Sequence, residues 1–237
     1  MRDDLAQISV SEQIDQAVDD FKKRHGLHHV VAFSGGASTD LPGVSSDDPL
    51  HAQYGQMQKE REQRIVRSAL NILRHYRIAV LTGGTSFGFP KTAVEVAKEV
   101  GLKTVGIFPK TALEKGYVLK DLDLAVCVDP HYGESAWGDE SSVFCKLLDA
   151  VIVCGGGAGT LIEAAHLLKM NESRLKYGNP VKVIIPIHGT GGVADGLPFV
   201  WGKQEVKNAC MPQRPILSGK DAAVYIQEHL DLFSEEQ

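Results

Sequence analysis

No run of apolar residues in this chain approaches the roughly 18 needed to cross a bilayer. Its first residues, Met1-Arg-Asp-Asp-Leu-Ala-Gln, lack the continuous apolar core of a secretory leader. The four cysteines, Cys127, Cys145, Cys154 and Cys210, form no CxxC pair and have no histidine at zinc-ligand spacing. Three of them sit inside apolar stretches, where a buried free thiol is the ordinary state. A cytoplasmic protein without metal or cofactor is therefore the expectation. Basic residues are not in excess: 25 Lys and Arg against 30 Asp and Glu leave a net charge of −5. That balance argues against a general nucleic-acid or membrane-surface binder. Neither written nucleotide signature is complete. There is no GxxxxGK(S/T), and residues 155–159 give no full GxGxxG with an acidic ribose ligand at the usual distance. A P-loop ATPase and a dinucleotide dehydrogenase are both disfavoured.

What the chain does have is the composition of an ordinary globular protein, with 43% hydrophobic and 23% charged residues over 237 positions. No linker or low-complexity tract interrupts it, so one domain over 1–237 is expected. Short β-branched runs alternate with helical patterns. Strands are predicted at 29–33 (HVVAF), 78–81 (IAVL), 104–108 (TVGIF), 124–128 (LAVCV), 150–154 (AVIVC) and 181–187 (VKVIIPI). Most are apolar throughout, as strands buried on both faces of a parallel sheet must be. Helices are predicted at 49–76, with Ile65, Ala69, Ile72 and Leu73 inward, from Pro90 to about residue 100, and at about 160–170. A polar helical pattern (Val10, Ile14, Val18, Phe21) occupies the extension 1–27 and packs on the sheet edge; a closing helix lies at 220–233, within 219–237. Residues 45–49 and 211–215 read as loops. The β-α alternation predicts an α/β fold, a doubly wound, mostly parallel, Rossmann-like sheet.

Twenty-four glycines are about a tenth of the chain, and they cluster where strands end. Three such ends are Ser34-Gly-Gly-Ala-Ser38, Thr82-Gly-Gly-Thr-Ser-Phe-Gly88 and Gly155-Gly-Gly-Ala-Gly-Thr160. A fourth, His188-Gly-Thr-Gly-Gly192, follows the last strand. Val80-Leu-Thr-Gly-Gly and Val153-Cys-Gly-Gly-Gly even form a faint internal repeat. Glycine lets backbone approach a ligand closely, and a helix amino terminus offers unpaired N–H groups and partial positive charge to a phosphate. Each loop alone could be a tight turn, but four on one sheet edge point to a phosphate-bearing small molecule, a nucleotide or nucleoside monophosphate. The candidate contacts are Ser34, Gly35 and Gly36; Gly83, Gly84, Thr85, Ser86 and Gly88; and Gly156, Gly157, Gly159 and Thr160.

Glu163 follows the third loop. Thr160-x-x-Glu163 is itself a capping-box pattern. The alternative is an ionised carboxylate beside a bound sugar phosphate, stabilising an oxocarbenium-like transition state or orienting a water. The segment Asp129-Pro-His-Tyr-Gly-Glu-Ser-Ala-Trp-Gly-Asp-Glu140 is polar, aromatic and irregular, so His131, Glu134 or Trp137 could cover a base or sugar. The charges between Lys59 and Arg67 read as a solvated helix face, although Arg61 or Arg64 could reach the cleft.

Gly156-Gly-Ala-Gly-Thr-Leu-Ile-Glu163 resembles the PGGxGTxxE motif of the LONELY GUY (LOG)-type family of the SLOG superfamily, also labelled "possible lysine decarboxylase". Val31-Ala-Phe-Ser-Gly-Gly-Ala-Ser38 is similar to that family's first-strand loop, Leu81-Thr-Gly-Gly-Thr-Ser-Phe-Gly88 to its GGGxxGLM loop, and Val105-Gly-Ile-Phe-Pro109 to the strand after it. The resemblance covers about residues 29 to 190. It implies a Rossmann-like homodimer and, in enzymatic members, hydrolysis of a nucleoside 5′-monophosphate to free base and ribose 5-phosphate, with the glycine-threonine loop on the phosphate and Glu163 catalytic. The chain departs from the pattern at Gly155 (proline in the family), Thr85 (glycine) and Phe89-Pro90 (Leu-Met). The Arg-Lys pair of enzymatic members falls on Glu140 and Ser141, which removes the guanidinium fork that would clamp an anion, and leaves Lys146 as the only cation of that stretch. The wider superfamily includes non-catalytic binders of ADP-ribose-like ligands and a molybdenum-cofactor carrier. A phosphoribohydrolase and a non-catalytic sensor or carrier are thus the two expectations. Amino-acid decarboxylation is a distant third, because nothing marks a lysine for a pyridoxal cofactor.

Overall fold

Strands that are apolar throughout need cover on both faces. The computed structural model, which describes residues 11–36, 47–200 and 202–232, supplies it. Along the chain run α1 (Ser11–His25), β1 (His29–Gly35), α2 (Pro49–Leu73), β2 (Ile78–Thr82), α3 (Gly88–Glu99), β3 (Lys103–Pro109), α4 (Lys110–Glu114), β4 (Leu124–Val128), α5 (Ser141–Leu147), β5 (Ala150–Cys154), α6 (Ala158–Lys176), β6 (Val183–Pro186), α7 (Gly192–Gly196), α8 (Gln204–Cys210) and α9 (Gly219–His229). Among the described residues the sheet is six-stranded and parallel, in the order β4-β3-β2-β1-β5-β6. The fold is the doubly wound, Rossmann-like α/β architecture that the alternation predicts.

Alternate residues of each strand feed opposite cores. On β1, Val30 and Ala32 join Val151 and Val153 of β5 under α5 and α6, while Val31 and Phe33 join Ile152 and Cys154 under α2, α3 and α9. Ile14, Val18 and Phe21 of α1 are buried, and α1 packs on α5 and on the edge strand β4, where a sheet-edge helix was expected. Val10 lies outside the described residues. All four cysteines are free and buried. No described helix is long and apolar enough to cross a membrane.

The amino ends of the strands are tied by carboxylates. Asp149 Oδ2 accepts from the amide of Val30 at 2.9 Å, and Asp123 Oδ2 from the amide and hydroxyl of Thr104, each at 2.9 Å. Burial pulls both carboxyls up, but bonds from Lys103 and Thr104 to Asp123, and from His29 and Val30 to Asp149, hold them below the usual carboxylate range. At the opposite edge the chain leaves β1 toward β2 in one direction and returns at β5 on the other side of β1. That reversal opens a crevice at the carboxyl ends of β1 and β5, the place where open α/β sheets take ligands.

Candidate functional site

Ser34 lies opposite Val153, and Gly35 opposite Cys154, across this crevice. Having the parity of Val30 and Ala32, Ser34 projects to the α6 side of the sheet, and there its hydroxyl donates to the carboxylate of Glu163. The bond joins the end of β1 to the first turns of α6, 129 positions apart in sequence. Glu163 is therefore not a helix cap. The N-cap of α6 is Gly157, with no side-chain cap bond, so Thr160 and Glu163 both lie inside the helix and the capping-box reading is overturned. Burial pushes the Glu163 carboxyl up to about 7; the Ser34 hydroxyl opposes the shift and the nearby Glu140 carboxyl adds to it. At neutral pH the group is divided between acid and carboxylate, not simply ionised. Its backbone carbonyl is fixed too, accepting from the Cys145 thiol at 3.3 Å.

Among the described residues, the third loop leaves helix-end amides open. The first bond of α6 runs from Leu161 N to Gly157 O at 3.0 Å, so the amides of Ala158, Gly159 and Thr160 have no intrahelical acceptor. The turn requires glycine: Gly156 has φ of +94°, and a Cβ there would sit 2.4 Å from the Thr160 hydroxyl oxygen. That hydroxyl is on a residue only 5% exposed, tucked beneath the loop.

The other loops are largely occupied by the protein itself. In the second, Ser86 N donates to Tyr117 O at 2.7 Å and Gly84 N to the Thr82 hydroxyl at 3.1 Å, while Thr85 forms a bridge with Val118. At the start of α3, Phe89 N is bonded to Gly36 O at 3.0 Å, and Pro90 has no N–H to offer. In the fourth loop the Asp195 carboxylate takes the amides of Gly189 (2.6 Å) and Gly191 (3.0 Å), and Thr190 accepts from Gly155 N at 2.9 Å. The four loops do share one edge, but the fourth braces the third instead of presenting amides. Of the first, Gly35 and Gly36 line the crevice, and Ala37 and Ser38 lie outside the described residues.

Arg61 reaches the fourth loop, donating to Gly189 O; Arg64 is exposed. Glu140 caps no amide beyond its own loop: its carboxylate accepts from Gly138 N at 2.8 Å, and burial raises its pKa. Ser141 is buried, and the Lys146 ammonium is paired with Asp15 of α1. No cation therefore replaces the absent Arg-Lys pair at these positions. Glu134 is exposed, and His131 lines a separate cavity of about 420 Å³ with Asp129, Asp139 and Lys146. Another cavity, about 190 Å³, lies beyond β6 among His188, Phe199, Lys207 and Arg214 and contains no residue of the Glu163 site. Among the described residues no group of His, Cys, Asp and Glu is placed to hold a metal ion.

Sequence reasoning missed Glu62. It lies within the charged run that reads as a solvated face, yet it is 7% exposed and burial pushes its carboxyl up to about 7. It lines a cavity of about 350 Å³ with Lys59, Ser86, Phe87 and Lys91. A carboxyl whose pKa is raised on folding contributes most below its unfolded value, near 4.5, and that contribution is lost as pH rises through 7. Glu62→Gln is expected to match the native chain at pH 4 and to exceed it by roughly 3 kcal/mol at pH 8. Thermal melts at the two pH values check this.

Comparison with known proteins follows the same outline. The sequence model of the SLOG cluster4 family matches residues 54–175. No curated protein matches the sequence. Among solved structures, the protein TM1055 is 19% identical with a TM-score of 0.58, over 85% of this chain and 99% of its own. The molybdenum cofactor binding protein of Rippkaea orientalis is 19% identical (TM-score 0.56, 85% and 97% covered). The molybdenum cofactor carrier protein of Chlamydomonas reinhardtii is 16% identical (TM-score 0.55, 86% and 98% covered). At such identities the likeness is one of fold.

Proposed function

Since the chain belongs to the SLOG cluster4 family, we propose that it binds a nucleoside 5′-monophosphate or close derivative by its phosphate at the open end of α6 and hydrolyses the N-glycosidic bond. One observation carries this: a carboxyl with a pKa of about 7, Glu163, is bonded to Ser34 of β1 near the α6 amides of Ala158, Gly159 and Thr160, which precede the first intrahelical bond. Gly156, Gly157, Gly159 and Thr160 hold the phosphate. Ser34, Gly35 and Gly36 form the crevice wall. Gly83, Gly84, Thr85, Ser86 and Gly88 contribute shape more than charge, because part of their backbone is internally bonded. Glu163 in its acid form gives a proton to the departing base as the bond between C1′ and nitrogen breaks and the electron pair leaves with the base. The resulting carboxylate faces the positive charge at C1′ and takes back a proton from the water that adds there. The products are free base and ribose 5-phosphate.

Glu140 favours a second reading, a binder without turnover. It puts a carboxylate where the resemblance expects arginine, within electrostatic reach of Glu163. Two proteins of similar fold are described as a molybdenum cofactor binding protein and a carrier, which suits a carrier of a nucleotide-derived ligand. Incubation with AMP, GMP, CMP, UMP and IMP, followed by chromatography, separates the readings. Base and ribose 5-phosphate appearing in equal amounts establish the hydrolase; saturable binding without release establishes the binder. Neither release nor binding would sink both.

A further inference from the structure

We infer that Phe87, Tyr117 and Trp137 form a stacking shelf for the flat heteroaromatic ring of the ligand, an inference that rests on the reading of the α6 end as its phosphate site. Trp137 and Tyr117 keep 47% and 42% of their surface exposed, although the side chains of Phe33, Phe89, Phe108 and Phe144 are fully buried. Their rings lie nearly parallel, 16° apart with centroids 6.5 Å apart, and Phe87 meets Tyr117 edge-on at 5.3 Å and 87°. The three come from three different loops at the carboxyl edge of the sheet.

Hydrogen bonds hold the Tyr117 and Trp137 segments in place. Tyr117 O accepts from Ser86 N and Leu119 N donates to Gly84 O, which locks the Tyr117 segment to the second glycine loop. The Trp137 segment is pinned by Ala136 N to Asp139 Oδ2 (2.9 Å), Gly138 N to Glu140 Oε2 (2.8 Å) and Thr111 N to Ser135 Oγ (3.0 Å). The shelf also abuts the phosphate end. A Cβ added at Gly138 would stand 3.4 Å from Ile162 Cδ1, so the residue after Trp137 lies near the residue before Glu163. Aromatic rings presented rigidly to water beside an anion-binding helix end suit a molecule with a phosphate at one end and a π-face at the other. Stacking reads the face of a ring and not its hydrogen-bonding edge. The shelf therefore selects for a planar ring, larger over smaller, and not for one particular base.

The chain has two tryptophans, so Trp201→Phe leaves Trp137 as the only indole reporter. In that background AMP and adenosine are expected to quench tryptophan fluorescence on mixing, whereas ribose 5-phosphate competes with AMP without quenching. Adding Trp137→Ala, followed by calorimetry, is expected to weaken AMP roughly tenfold to a hundredfold and leave ribose 5-phosphate unchanged, with Trp137→Phe restoring most of the loss. If AMP binds Trp137→Ala as tightly as the native chain while ribose 5-phosphate still competes, the shelf is wrong and the phosphate site stands. If adenosine quenches but ribose 5-phosphate never competes, the shelf stands and the phosphate site is wrong. If no probe binds, both are overturned.

Discussion

Glu163→Gln is expected to lower base release by a factor on the order of 10²–10⁴, the usual contribution of a positioned proton donor, while AMP still binds. Glutamine keeps the shape and can still accept the Ser34 hydroxyl bond, so what is lost is the transferable proton. In the native chain, turnover should hold below pH 7 and decline as pH rises through it, because the acid form starts the reaction and burial places its midpoint at about 7. A rate that instead climbs through pH 7 would assign Glu163 the role of base. Stability supplies an independent reading. The folded carboxyl titrates above its unfolded value, so its contribution is complete below about pH 4.5 and is lost by the time pH passes 7. The variant should therefore melt with the native chain at pH 4 and above it at pH 8. The gain is at most about 3 kcal/mol, the shift from 4.5 to about 7 converted to free energy. A helix-capping glutamate would behave oppositely, with the variant less stable at pH 8.

Gly219→Ala is expected to produce a large loss of stability. Gly219 begins α9 where that helix lies on α2, and a Cβ there would stand 1.8 Å from the Ile65 carbonyl oxygen and 2.6 Å from Ser68 Oγ. The Ile65 carbonyl is helix backbone and cannot swing away. α9 would have to lift, withdrawing Ala222, Ala223 and Ile226 from the core they share with Ile65, Ala69 and Leu73. A cost of about 3 kcal/mol or more follows, which lowers Tm by roughly 6–12 °C for a chain of this size. Gly83→Ala is the matched control: no atom lies within 4 Å of the added carbon, and its melt should barely move. Equal losses in the two variants would mean that α9 is not seated as described.

Much of this was legible in the sequence, for reasons that also mark where legibility ends. β4 and β5 fall on the predicted residues because a run such as AVIVC, buried on both faces, has no other stable use. β6 is shorter than the run 181–187 suggests, since Lys182 turns aside: its amide donates to Asn171 and its ammonium to the carbonyls of Lys146 and Leu148. The helices α4, α5, α7 and α8 have five to seven residues, too few to display a 3.6-residue period. At the site, the glycine-threonine motif marked Glu163, and a glycine strand end marked Ser34, but no spacing rule joins residues 129 positions apart. Glu62 was hidden by charged neighbours. The signal that could have found it is its helical phase, since it shares a face with Ile65, Val66, Ala69 and Leu73. Tyr117 carries no local cue at all, because its ring matters only through Phe87 and Trp137, twenty or more positions to either side.

Asp149 and Asp123 fasten the amino ends of the strands, a sheet's length away from the crevice. Anchorage and the candidate site thus sit at opposite poles of the same parallel array. Substitutions in the loops at the crevice can therefore change its lining without touching the carboxylate ties at the other end of the sheet.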